Sequence, residues 1–192
     1  MIIAIEGIDG VGKTTIATKL AEELNFEYVY NPFENAFFVD GKAKFKELKC
    51  KLVKLNSSIL SCWFFGLNAQ FIEQYYKTKN VVCDRYLLSN MAWFTNDEST
   101  MNLFVSCLRM SKIDLLVYLT VDKSTLENRL ISRENGSRDL WKLEKYDFFQ
   151  NNVYKAIEMS GKEVLVINRA NLDIESTLRI IRDVIIKKQN SN

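Results

Sequence analysis

Residues 7–14 read G-I-D-G-V-G-K-T and fit the pattern G-x-x-x-x-G-K-[S/T] without a mismatch, directly after the apolar run "MIIAI". A strand, a glycine-rich turn and a helix in that order form the context in which the pattern has a physical meaning. Gly10 and Gly12 let backbone N–H groups converge on an anion, and the helix that follows points its positive end at the same place. In such a loop Lys13 reaches the β- and γ-phosphates of a nucleotide, and the hydroxyl of Thr14 ligates Mg²⁺. The competing account is a chance match in a strand–turn–helix corner, where glycine is common; the flanking strand and helix weigh against it.

Beyond the loop, short apolar segments alternate with longer helical ones. Strands are predicted at 2–6, 28–30, 81–84, 115–120 and 164–167, all rich in β-branched and aromatic residues. Helices are predicted at about 13–24, 42–55, 57–78, 87–94, 98–111, 123–134, 139–160 and 172–189. Strands this continuously apolar are expected to be buried on both faces. The expected fold is therefore α/β, a P-loop NTPase-type parallel five-stranded sheet with helices on both faces. In such sheets ligands sit beyond the carboxyl ends of the strands.

Composition limits the chemistry further. At 192 residues and 47% hydrophobic the chain suits one domain, 1–192, with one sizeable core. The net charge of +2 supplies no global field for nucleic acid or membrane. Cys50, Cys62, Cys83 and Cys107 stand far apart without a C-x-x-C pair, as expected of reduced cytoplasmic thiols. "MIIAI" is too short for a signal segment, and no apolar run approaches a membrane span. The chain has no histidine, so imidazole acid–base schemes are excluded, whereas phosphoryl transfer depends mainly on positioning and charge neutralisation.

That geometry singles out the end of the third predicted strand, where "VVCD" runs into "DRYLLSNMAWF". Asp84 is placed to hold Mg²⁺ together with Thr14, and Arg85 offers a planar fork suited to phosphate. A strand-end salt bridge is the bland alternative for either residue.

"EGIDGVGKTT" followed by "DRYLLSNMAWF" resembles the thymidylate kinase family of P-loop nucleoside-monophosphate kinases, whose signatures are E-G-x-D-G-x-G-K-T-T and D-R-Y-x-x-S-x-x-A followed by an aromatic. The resemblance continues in "VYLTVDKSTLENRLISRENGSRDLWKLEKYDFF" and covers about half of the chain. It implies ATP and Mg²⁺ as cofactors, a homodimer and a mobile lid at about 129–141. It also implies a donor cradle of Gly7, Asp9, Gly10, Val11, Gly12, Lys13, Thr14 and Thr15, with Arg129 from the lid. Asp9 would turn away from ATP to the 3′-hydroxyl of the acceptor, and Arg85 would clamp the acceptor's α-phosphate. Ser89 and Trp93 would line its sugar, and Phe33 would complete the pocket. Trp93 also suits ordinary core packing. Phe64 would stack on the base, with Asn68 on the same helix face at its edge; at Phe65 core packing is the preferred account. Val11 stands where some members place a catalytic arginine, so Arg133 and Arg138 of the lid join Lys13, Asp9 and Arg85 as the candidate catalytic residues.

Two departures bear on the acceptor. "YNPFENAFF" lacks the arginine that the family places near Pro32, and Asn68 stands where the family has an arginine that reads thymine. The leading expectation is transfer of the ATP γ-phosphoryl group to dTMP. The alternatives are a deoxynucleoside kinase, weakened because Asn31 stands where its carboxylate base is expected although Glu34 lies close by, and a non-catalytic nucleotide switch. The intact Lys13, Thr14 and Asp84 disfavour the switch.

Overall fold

The computed structural model describes residues 1–30, 47–48, 50–52, 54–132 and 140–190. Strand β1 (Ile2–Gly7) lies at the centre of the sheet, with β3 (Val81–Asp84) on one side and β4 (Leu115–Thr120) on the other. β2 (Glu27–Tyr30) and β5 (Leu165–Asn168) form the edges, in the order β2-β3-β1-β4-β5, and every pairing is parallel. Every residue of β1, β3 and β4 is buried, as their unbroken apolar runs require. β2 and β5 depart from that expectation and are buried at only one position each, because each has a neighbour on one side alone.

Helix α1 (Lys13–Leu24) packs on β2 and β3 and against α8 (Ile174–Asn190). The other side carries α2 (Ser58–Tyr75), α3 (Leu88–Met91), α4 (Glu98–Met110) and α7 (Tyr146–Ser160). There α2 packs on α3 and α4, and α4 packs on α7. The boundaries have local causes. Asn25 closes α1 in the left-handed conformation (φ 54°), and Asp97 with Thr100 forms a capping box at α4. Asp122 starts α5 (Lys123–Ile131) by accepting the Thr125 N–H at 2.7 Å. The single helix expected over 139–160 is two, α6 (Trp141–Glu144) and α7, separated at Lys145 where ψ departs from helical values.

The register fixes the working edge. Ile5 of β1 lies beside Asp84 of β3, and Glu6 beside Tyr118 of β4, so Asp84 and the glycine-rich loop emerge together at the carboxyl end of the sheet.

Candidate active site

The loop between β1 and α1 is tight, with the Val11 N–H donating to the Ile8 carbonyl at 3.3 Å. Gly10 and Gly12 both have φ 97°. A Cβ at Gly10 would crowd Leu126 and Leu130, and one at Gly12 would collide with the Arg169 guanidinium. Gly12 is the N-cap of α1, whose first turn holds no acidic residue to compete for an incoming anion. Lys13 is buried at 5% exposure and donates to the Ile8 carbonyl at 3.0 Å. Burial and then the neighbouring Arg85 charge lower its pKa to about 8, against the pull of Asp9, Asp84 and Glu6. Thr15 is exposed beside the loop.

The Thr14 hydroxyl donates to Asp84 Oδ2 at 2.6 Å, and the Tyr28 hydroxyl donates to the same oxygen at 3.3 Å. Asp84 is fully buried, and its Oδ1 has no partner. An orphaned buried carboxylate oxygen beside a hydroxyl, facing a phosphate loop, is a donor set that fits a hard divalent cation. No strand-end salt bridge forms between Asp84 and Arg85; Arg85 instead pairs with Asp9.

Asp9 is the hub of the site. It pairs with Arg85 on one oxygen, accepts from Lys142 of α6 at 2.5 Å on the other, and lies 3.5 Å from Lys13. Burial alone would raise its pKa, but Lys13, Arg85 and Lys142 together hold it well below the usual carboxylate range. Asp9 is thus ionised, with Lys13, Arg85 and Lys142 around it.

Ser89, expected along the acceptor's sugar, is buried with its hydroxyl donating to Glu6. Trp93 is half-buried, its ring 4.5 Å from that of Phe149 and 5.6 Å from that of Trp141. Phe65 is core, stacked on Phe94, whereas Phe64 stays partly exposed with its edge on Phe65. Asn68 is buried, its amide nitrogen donating to the Phe64 carbonyl at 2.8 Å and its Oδ1 without a partner. Arg129 donates to the Val11 carbonyl at 3.2 Å. Phe33, Arg133 and Arg138 lie outside the described residues.

Two cations were not legible in the sequence. Arg169, just past β5, donates to the Val11 carbonyl at 3.0 Å, beside Arg129. Its position at a strand's carboxyl end was the available signal. Lys142 gave none, since its partner lies 133 residues away.

With this geometry in hand, comparison with known proteins decides the family, because the thymidylate kinase family model matches residues 5–181. The chain belongs to the thymidylate kinase family. A probable thymidylate kinase of Picrophilus torridus is 26% identical over 99% of this chain and 96% of that protein. One of Methanococcus maripaludis (strain S2) is 30% identical over 97% of this chain and 95% of that protein. Among solved structures, deoxyadenosine kinase from M. mycoides with bound dATP aligns over 96% of this chain and 99% of that chain, with a TM-score of 0.62 and 20% identity. The last likeness concerns the fold alone. As a member of the thymidylate kinase family the chain is a kinase phosphotransferase on a P-loop α/β fold, and ATP is the phosphate donor of that family's reaction.

Proposed function

We propose that this protein transfers the γ-phosphoryl group of ATP to dTMP, giving dTDP, with the donor phosphates on the loop backbone and the acceptor on the far side of Asp9. The observation that carries this reading is the setting of Asp9, held ionised within the phosphate loop by Lys13 at 3.5 Å, Arg85 and Lys142, so that the loop gathers cations around a side chain as well as along its backbone. Gly7, Gly10, Val11, Gly12, Thr14 and Thr15 complete the donor cradle, with Arg129 beside it. Lys13 is drawn from the Ile8 carbonyl onto the β- and γ-phosphates, whose negative charge favours its protonated form. Thr14 and Asp84 would hold Mg²⁺, which neutralises charge on the same phosphates. Arg85 meets the acceptor phosphate through its fork, Asp9 orients the acceptor sugar, and Phe33, Phe64, Asn68 and Trp93 surround sugar and base. Arg133 and Arg138, in a lid at about 129–141, supply positive charge over the transferred group. The absence of histidine suits a transfer carried by positioning and charge.

Screening nucleosides and nucleoside monophosphates by coupled ADP release tests the reading. ATP-dependent turnover of dTMP without turnover of thymidine is expected; phosphorylation of thymidine would instead assign a nucleoside kinase. The protein acts as a cytoplasmic homodimer in this proposal. The dimer is supported by α2, which leaves Leu60, Trp63 and Leu67 exposed at helical spacing. The free thiols of Cys50, Cys62, Cys83 and Cys107 support a reducing compartment.

A further inference from the structure

Glu6 takes no part in the donor or acceptor contacts above, yet it is fully buried and both of its oxygens are engaged. Oε1 accepts the Tyr86 N–H at 3.0 Å, while Oε2 accepts the Ser89 N–H at 3.1 Å and the Ser89 hydroxyl. These donors belong to the entry of α3, whose N-cap position, Leu87, offers no side-chain hydrogen bond of its own. A buried carboxylate is a costly way to satisfy two amides and a hydroxyl, because the charge must leave water. Burial accordingly pushes the Glu6 carboxyl up from its ordinary range, against the lowering effect of the Ser89 bonds. The arrangement is explained by what lies immediately upstream.

Arg85 has φ 82°, in the left-handed region. Among the described residues only Asn25 and Asn56 share that region without being glycine, and asparagine enters it readily where arginine does not. Relaxation of the Arg85 backbone to the extended or helical region would swing its guanidinium off Asp9. Two restraints oppose this. The Arg85 N–H donates to the Ile5 carbonyl at 3.1 Å, and the next residue's N–H is held by Glu6. Ile5 and Glu6 are consecutive in β1, so the central strand grips the turn on both sides of the strained residue.

We propose that Glu6 is the positioning residue for Arg85: it pins Tyr86 and Ser89 so that Arg85 stays in its left-handed conformation with its fork at the acceptor face. The consequence for catalysis rests on the assignment of Arg85 to the acceptor phosphate. The glutamate at the end of β1 thereby acts on the acceptor half of the site, although it stands next to the donor loop.

Glu6→Gln is the test, because it keeps the shape and replaces one acceptor oxygen by an NH₂ group that faces N–H donors. KM for dTMP is expected to rise at least tenfold while KM for ATP changes less than threefold. In an Arg85→Ala background the same substitution should cost less than twofold, since the residue it acts through is gone. Ser89→Ala, which removes only the hydroxyl contact, should move the same parameters in the same direction by a smaller factor. It carries the cycle if Glu6→Gln folds poorly. A crystal structure of the variant gives a readout independent of turnover, in which Arg85 leaves the left-handed region and its ion pair with Asp9. Multiplicative effects in the cycle, a parallel rise in both KM values, or an unchanged Arg85 conformation overturns the proposal. A wild-type protein that phosphorylates no nucleoside monophosphate would sink the function assignment instead, and the Arg85 conformation would then decide the role of Glu6 alone.

Discussion

Lys13 is held in two minds by its surroundings. Its burial strips water from the ammonium, and Arg85 repels it, so the charge is released as pH rises through about 8. The folded value lies below the ordinary 10.5, so the free protein has already lost this proton at a pH where an exposed lysine keeps it. ATP binding, measured by titration calorimetry, is therefore expected to weaken and to take up a proton as pH passes above about 8. Turnover at saturating ATP should change far less over the same range; a dissociation constant flat across that region would count against it. Lys13→Ala is expected to lower kcat by about a hundredfold or more in a protein that still folds, since it removes charge stabilisation from the transferred group. In the proposed function Asn68 is the residue that bears on the base. Its nitrogen is engaged with the Phe64 carbonyl and its Oδ1 is buried without a partner, so in that reading Oδ1 is the group left for the base. An acceptor there would meet the N3–H of thymine, but it would also meet the 4-amino group of cytosine, which an arginine would repel. A charge-assisted hydrogen bond contributes about 1.5–3 kcal/mol, so Asn68→Arg is expected to raise the dTMP-to-dCMP ratio of kcat/KM by roughly one to two decades. Equal ratios in the two proteins would show that position 68 does not read the base.

At the scale of elements, what the strand ends fix was legible, and the cations that reach the loop from distant helices and turns were not. β3 and β4 fall where their apolar runs predict, and Asp84 stands at a strand end because the strand's length puts it there. The pairing of Thr14 with Asp84 followed from two strand ends read together. The broken helix at Lys145 was not legible, since nothing in "LEKYD" is a helix breaker by propensity. The hub role of Asp9 was legible only in part. Arg85 and Lys142 reach it from 76 and 133 residues away, distances over which local pattern carries no information. The second cation on the Val11 carbonyl, Arg169, arrives from 158 residues away and makes the β5–α8 turn part of the phosphate loop's support. Arg169→Met is expected to raise KM for ATP about tenfold, in line with the loss of one charge-assisted bond, and to leave KM for dTMP near its wild-type value. Equal changes in both constants would show that the turn supports the fold at large rather than the donor loop.

On the scale of the whole molecule, the exposed row on α2 leads to a prediction about assembly. Trp63 is 61% exposed and Leu67 58%, large values for such residues on a helix whose other face is core. Light scattering is expected to give a dimer for the wild-type protein and a monomer of unchanged helix content for Trp63→Glu. A wild-type monomer would remove the role assigned to that face. The strand order has a further consequence, for the time before the protein exists as a folded object. β1 is the central strand, yet both of its neighbours are made late, with Ile2 paired to Val81 and Ile3 to Leu115. A ribosome adding about 5–20 residues per second leaves "IIAIEG" without either partner for several seconds, an apolar ribbon with two open edges. The strand that leads into the phosphate loop is thus, during synthesis, open on both edges to mispairing with other nascent chains. A fragment stopping short of β4 is expected to sediment as aggregate or to remain chaperone-bound, whereas extension through β4 should release it as soluble protein.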